Sequence, residues 1–240
     1  MRFAIFGDIH SNLEALEAVL ADAKDCGCTH HVCIGDIVGY NANPHECVEI
    51  IKGLGCPVVK GNHDEQAHLN GSLEAFNPLA DAALRWTREN LTDEDKQWLA
   101  SLRLIRQVRD FTIVHATLDT PNQWGYVFNQ LDAAASFNYQ YTNVCFYGHT
   151  HAPRAYVRDE AVHHVPLEVL PIEFGKKYFI NVGSVGQPRD GDWHASYCIY
   201  HADKNLVELR RVEYDINFAQ DKVVDAGLPP RLADRLALGS

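Results

Sequence analysis

The chain has 240 residues, 46% hydrophobic and 22% charged, enough to bury a full core without disulfide or metal staples. It contains no run of about 18 apolar residues, which excludes a membrane-spanning helix. Its formal charge of −11 repels a nucleic-acid backbone, and would repel a phosphorylated substrate too unless bound cations supply positive charge locally.

The predicted elements then follow in chain order. "RFAIFG" (2–7) is a short apolar run ending in glycine, a buried strand by length and flanks. "SNLEALEAVLADAK" follows as a helix, with Ser11 and Glu14 as a capping box and Leu13, Leu16 and Leu20 on one face. "HHVCIGD" (30–36) is the next strand. Asn43 and Pro44 open a second helix that ends near Gly53. "CPVVKGNHD" (56–64) reads as a third strand. This β-α-β-α-β order implies parallel strands with right-handed crossovers. Residues 77–102 carry a helical pattern, with Thr92 and Asp95 capping a second helix inside it. "DFTIVHA" (110–116) and "TNVCFYGHTH" (142–151) are two more strands. Beyond them "PRAYVRD", "KKYFINVGSVG", "ASYCIYHA" and "NLVELRRVEY" alternate as antiparallel strands do. The expected fold is α/β: a four-layer α/β/β/α sandwich of two mixed β-sheets flanked by helices, with a helical insertion around residues 77–102. No repeat or linker divides it, so residues 1–240 read as one domain.

Five of these segments end in residues that bind metals: Asp8 and His10; Asp36; Asn62 and His63; His115; His149 and His151. In open α/β sheets, sites form at the carboxyl ends of strands, so side chains distant in sequence can converge there. Asp, Asn and His together suit borderline divalent metals, and no cysteine sits in these turns, which disfavours a closed structural zinc site. The groups outnumber what one ion needs. They suit two ions about 3.5–4 Å apart sharing a carboxylate, an arrangement that activates water and clamps a phosphoryl group. The chain has no nucleophilic-serine elbow and no P-loop.

In order, "GDIHSN", "GDIVGY", "GNHD", "IVHA" and "GHTH" resemble the motif series of the calcineurin-like metallophosphoesterase superfamily, and "NVGSVGQPRDGDWHASY" resembles the tail of its small bacterial and archaeal phosphoesterases. By position, the resemblance implies that Asp8, His10 and His151 hold one metal, that Asn62, His115 and His149 hold another, and that Asp36 bridges them. It implies Mn²⁺ first, with Fe, Zn, Co or Ni as alternatives. A metal-bridging hydroxide would then attack a phosphomonoester or phosphodiester of a small molecule, with His63 assisting the leaving group. Asn12 would steady a metal ligand or a phosphate oxygen. The superfamily's protein serine/threonine phosphatases read G-D-Y-V-D-R-G where this chain reads "GDIVGYN". Gly39 and Tyr40 thus replace their second Asp and their Arg, which counts against a protein phosphatase. Asp64 is the substitute expected to orient His63. Arg189 is the substitute expected to bind phosphate along with Asn62 and His63, unless it only pairs with Asp190 or Asp192.

Other features have plainer readings. The thiols of "CGCTHHVC" (26–33) belong to core and loop, because no second cysteine pair has zinc spacing. His163, His164 and His194 read as surface or loop residues. Trp86, Trp98 and Leu102 read as packing of the insertion, while Trp124, Tyr126 and Phe128 either pack or wall a substrate pocket. Seven cysteines, an odd number, and no basic leader suggest reduced thiols in a cytoplasmic protein. Rival readings are a metal-bound scaffold of the same fold, a dinucleoside polyphosphate hydrolase, and a structural zinc protein that unfolds on chelation. The oligomeric state is left open.

Overall fold

The computed structural model describes residues 1–240 apart from 70, 72 and 74–76. In chain order it runs β1 (Arg2–Phe6), α1 (Leu13–Asp25), β2 (His30–Cys33), α2 (Pro44–Leu54), α3 (Asn62–His68), α4 (Pro78–Asn90), α5 (Asp93–Ser101), β3 (Ile105–Val108) and β4 (Phe111–Val114). It continues with α6 (Gln130–Tyr139), β5 (Val144–Tyr147), β6 (Arg154–Arg158), β7 (Val162–Val165), β8 (Val169–Pro171), β9 (Lys177–Asn181), β10 (Ala195–His201), β11 (Leu206–Val212), α7 (Ile216–Asp225) and α8 (Pro230–Leu238).

Two mixed sheets form, in the orders β2-β1-β10-β11-β8 and β3-β4-β5-β9-β6-β7. β1 pairs parallel with β2 and antiparallel with β10, and β5 is parallel to both β4 and β9. Alternation along β1 explains the layering. Phe3 and Ile5 join Phe111, Ile113, Val144 and Phe146 in the core between the sheets. Ala4 and Phe6 turn the other way and pack with Leu16 and Val19 of α1 and Val48 of α2. On the far side, Cys145, Tyr147 and Phe179 pack with Ala133 and Phe137 of α6. A strand buried on both faces needs the unbroken apolar runs seen in the sequence. The four expected layers are therefore observed, and α4 and α5 occupy the expected insertion.

Local details differ from the sequence reading. The run 56–59 makes only two bridge contacts, Cys33 with Val58 and Val59 with Arg103, and no full strand. The chain turns into α3 directly after Gly61. Ser11 and Glu14 do not cap α1. Asn12 does, its Oδ1 accepting from Ala15 N, while Ser11 Oγ accepts from Gly39 N. Gly55, in the left-handed region, ends α2, two residues beyond the expected Gly53. Thr92 and Asp95 form the expected capping box of α5.

Candidate metal centre

Asp8 and His10 follow β1, Asp36 follows β2, His115 follows β4, and His149 and His151 follow β5; Asn62 and His63 open α3. All are buried. One group of mutually close donor atoms comprises Asp8, His10, Asp36 and His151, all within 4.8 Å of one another. A second comprises Asp36, His115 and His149, within the same limit. Asp36 belongs to both. Its Oδ2 lies 3.5 Å from His10 Nε2 and 3.3 Å from His115 Nε2. Asp8 Oδ1 lies 3.3 Å from His151 Nε2. A third group, with His45 and Glu49 exposed and Asp95 buried, is accounted for by the α5 cap and by ion pairs.

The donor set suits a cation. Nδ1 of His10, His115 and His151 each lies against a backbone carbonyl, of Val38 at 3.0 Å, Ile34 at 2.9 Å and Gln187 at 2.6 Å. Those carbonyls accept the Nδ1 proton and leave Nε2 as the inward-facing atom, the arrangement that metal-binding histidines use. His149 is reversed. Its Nε2 donates to Trp124 O at 2.9 Å, which leaves Nδ1. The Nε2 atoms of His10 and His151 face each other at 3.1 Å, where two lone pairs repel unless a proton or a cation lies between them. Asn62 Oδ1 is buried without a hydrogen-bond partner among the described residues. An acceptor buried that way costs about 1–3 kcal/mol, which coordination would recover.

The electrostatics agree. Burial, helped by the Asp36 charge, holds Asp8 above the usual carboxylate range. Burial also opposes ionisation of Asp36, yet His115 and His63 hold it well below that range. His115 is pushed up to about 10, because Asp36 and Asp8 overcome its burial. Burial takes His149 down to about 3 and His63 to about 4, and takes His10 and His151 well below the ordinary imidazole value. Two buried carboxylates thus draw positive charge into the pocket, and a metal would take the place of the second proton on His115.

The turns are shaped for this clustering. Asp8, His10, Asp36, His149 and His151 all have positive φ, between 48° and 68°. Such strain in L-residues concentrates at functional sites. Backbone without side chains packs against the carboxylates. A Cβ on Gly148 would lie 2.2 Å from Asp8 Oδ2, and one on Gly61 would lie 2.1 Å from Asp36 Oδ1. Main-chain donors hold both acids: His63 N donates to Asp36 Oδ1 at 2.8 Å and His149 N to Asp8 Oδ2 at 3.0 Å.

Two expected roles are corrected. Asp64 does not orient His63: its carboxylate accepts from the backbone N–H groups of Ile37, Val38 and Gly61, so it clamps the Asp36 turn to the start of α3. Asn12 spends its side chain on the α1 cap and on donating to Gly186 O, and steadies main chain rather than a ligand. Arg189 does not pair with Asp190 or Asp192, which face Arg211 instead. Its guanidinium carbon sits 5.6 Å over the Tyr40 ring, its Nη2 donates to Gln187 Oε1, and its buried Nε has no partner among the described residues.

Tyr40 is a site residue that the sequence reading named only as replacing an Arg and gave no role. Its ring lies 4.6 Å from that of His63 and 4.7 Å from that of His10. Gly39 before it leaves the room His63 Nδ1 occupies. The available signal was an aromatic residue four positions after the Asp of a "GD" turn. A cleft of about 390 Å³ opens here, lined by Tyr40, Asn62, His63, Trp124, Tyr126 and His149, among others. Tyr126 stacks on His149 at 4.2 Å. Phe128 stacks on Tyr126 but lines a separate pocket with Arg154 and His164. The segment 26–33 contributes no metal-type cluster among the described residues.

Comparison with known proteins agrees with this architecture. Residues 1–205 match the calcineurin-like phosphoesterase superfamily domain. A metallophosphoesterase from Sphaerobacter thermophilus is 44% identical, with a TM-score of 0.89 over 100% of this chain and 99% of its own. The uncharacterised protein MJ0912 of Methanocaldococcus jannaschii is 43% identical over 242 residues, 98% of this chain and 97% of its own. The hypothetical protein PH1004 of Pyrococcus horikoshii OT3 shares the fold at 20% identity, with a TM-score of 0.81 over 100% of this chain and 98% of its own. With its clustered Asp and His donors at the strand ends, the chain belongs to the calcineurin-like phosphoesterase superfamily.

Proposed function

We propose that this protein is a phosphoric ester hydrolase that uses two divalent cations, Mn²⁺ first, to cleave phosphomonoesters or phosphodiesters of small molecules. The observation that carries the reading is Asp36, whose carboxylate is common to both donor groups. Asp8, His10 and His151 hold one cation and Asn62, His115 and His149 the other. A bound pair lowers the pKa of a water and offsets charge on phosphoryl oxygens.

The chain's own residues do the rest. His63 stands at the cleft, where its imidazole protonates the leaving oxygen or stabilises phosphoryl charge. Its low proton affinity follows from burial and from Arg189, and a dianionic phosphate beside it reverses that balance. Arg189 grips non-bridging oxygens with the part of its guanidinium that Gln187 leaves over. Tyr40 holds Arg189 and His63 on one ring, and Trp124 and Tyr126 wall the cleft around the leaving group.

The test is a titration of chelator-stripped protein with Mn²⁺, followed by turnover of p-nitrophenyl phosphate and bis-p-nitrophenyl phosphate. Two equivalents per chain and Mn²⁺-dependent turnover are expected, with Asp36→Asn losing both the second equivalent and the activity. One equivalent would end the shared-carboxylate reading. Stoichiometric binding without turnover under Mn²⁺, Co²⁺, Ni²⁺, Zn²⁺ or Mg²⁺ would favour the scaffold.

A further inference from the structure

The family match ends at residue 205, and α7 and α8 lie beyond it. They are not remote from the centre. Leu228, Leu232 and Ala233 pack in one cluster with Tyr40. Gly191 N donates to Gly239 O at 3.0 Å, which docks the end of α8 on the loop that carries Arg189. Arg235, one helical turn after Leu232, is half-buried on α8. Burial and then the Arg189 charge weaken its hold on its proton, so the two guanidiniums feel each other.

Neither arginine has an ion-pair partner among the described residues. Asp190 and Asp192 face Arg211, and Asp234 faces Arg231. The one hydrogen bond the Arg235 side chain makes among the described residues is from Nε to Ser240 O. Arg189 lies over the Tyr40 ring, which meets the rings of His63 and His10 on one side and the α8 residues Leu232 and Ala233 in its packing cluster, so it stands beside both the metal centre and α8. In a chain of charge −11, two half-buried cations set together with no Asp or Glu partner among the described residues cost stability unless an anion joins them. Guanidinium forks fit phosphate best.

We infer that Arg189 and Arg235 form an anion subsite beside the metal centre, which selects substrates carrying a second phosphate besides the one hydrolysed. This rests on the phosphoesterase reading and adds a substrate class to it: bisphosphates and phosphoanhydrides over simple monoesters. The "GDIVGY" turn holds no cation for a second phosphate; the 187–192 loop and α8 bring two.

The test compares inhibition of p-nitrophenyl phosphate turnover by inorganic phosphate and by propane-1,3-bisphosphonate, in the Mn²⁺-loaded protein. Calorimetric binding of the same two anions runs in parallel, so the answer does not depend on turnover. The wild-type protein should prefer the bisphosphonate, and Arg235→Gln should cut that preference about tenfold, the value of one charge-assisted contact. Arg235→Glu should cut it further. Lys204→Gln, in the turn after β10 at the opposite end of the sheet, should keep the wild-type ratio. Equal affinity for both anions in the wild type, or a preference that survives Arg235→Glu, would overturn the subsite. Absent turnover with the preference intact by calorimetry would count against the phosphoesterase reading alone.

Discussion

At the scale of single residues, the centre depends as much on atoms left out as on ligands put in. Gly148 and Gly61 let backbone approach Asp8 and Asp36 to distances that a methyl group would occupy. Gly148→Ala should therefore weaken Mn²⁺ binding about ten- to a hundredfold, as disturbed support of a ligand usually does, read by calorimetry on the stripped protein. Affinity equal to wild type would mean that Asp8 is not held by that contact. His63 tests a different role. His63→Gln should still take up both cations, while turnover falls about 10²- to 10⁴-fold. A variant that also empties the site would make His63 a ligand. Asp8, His10, Asp36, Asn62, His115, His149 and His151 were legible because each closes an apolar run or opens the next helix. Arg189 was legible as a candidate cation, but the roles of Tyr40 and Arg235 were not, because their meaning lies in partners far away in sequence.

At the scale of elements, unbroken apolar runs were readable where both faces of a strand are buried, and capped amphipathic segments were readable as helices. β1, β4 and β5 are such runs, and α4 and α5 carry their own start signals. The caps can be checked singly. Thr92→Ala removes the hydroxyl that accepts from Asp95 N, and should cost about 1 kcal/mol in urea unfolding. No change would mean that Asp95, which also bonds Thr92 N and His45, holds the turn alone. The segment 56–59 looked like a strand by composition. Lys60 N bonds to Arg103 O and Gly61 turns at once into α3, so the run meets neighbours only at single bridges. Strand composition sets a preference for extended backbone; whether a full ladder forms depends on the edge available to it. α7 and α8 went unread because their apolar faces match Tyr40 and α4, surfaces that exist only once the sheets have formed.

At the scale of the whole molecule, the buried histidines make stability depend on pH in the stripped protein. His63 and His149 stay neutral down to about 4 and about 3, while the unfolded chain takes up protons near 6.5. Stability therefore falls as pH drops from 6.5 towards 4. His115 works the other way: its contribution is complete below about 6.5 and is lost as pH rises through about 10. The urea midpoint of chelator-treated protein should peak near neutrality, and His63→Gln should flatten the acid limb. A midpoint that rises steadily into acid would contradict the buried neutral imidazoles. Mn²⁺ should drive the proton off His115, so binding at pH 8 should release protons, seen as a buffer-dependent heat. By itself, the sequence determined the ligand types, the strand ends that carry them and the family they resemble, since apolar runs and turn residues act locally. Only the tertiary structure decided how Asp36, expected from the resemblance to be shared, meets two donor groups, that Asp64 and Asn12 serve main chain, and that α8 stands beside Arg189. Those facts depend on distances between segments up to two hundred residues apart, which packing alone sets.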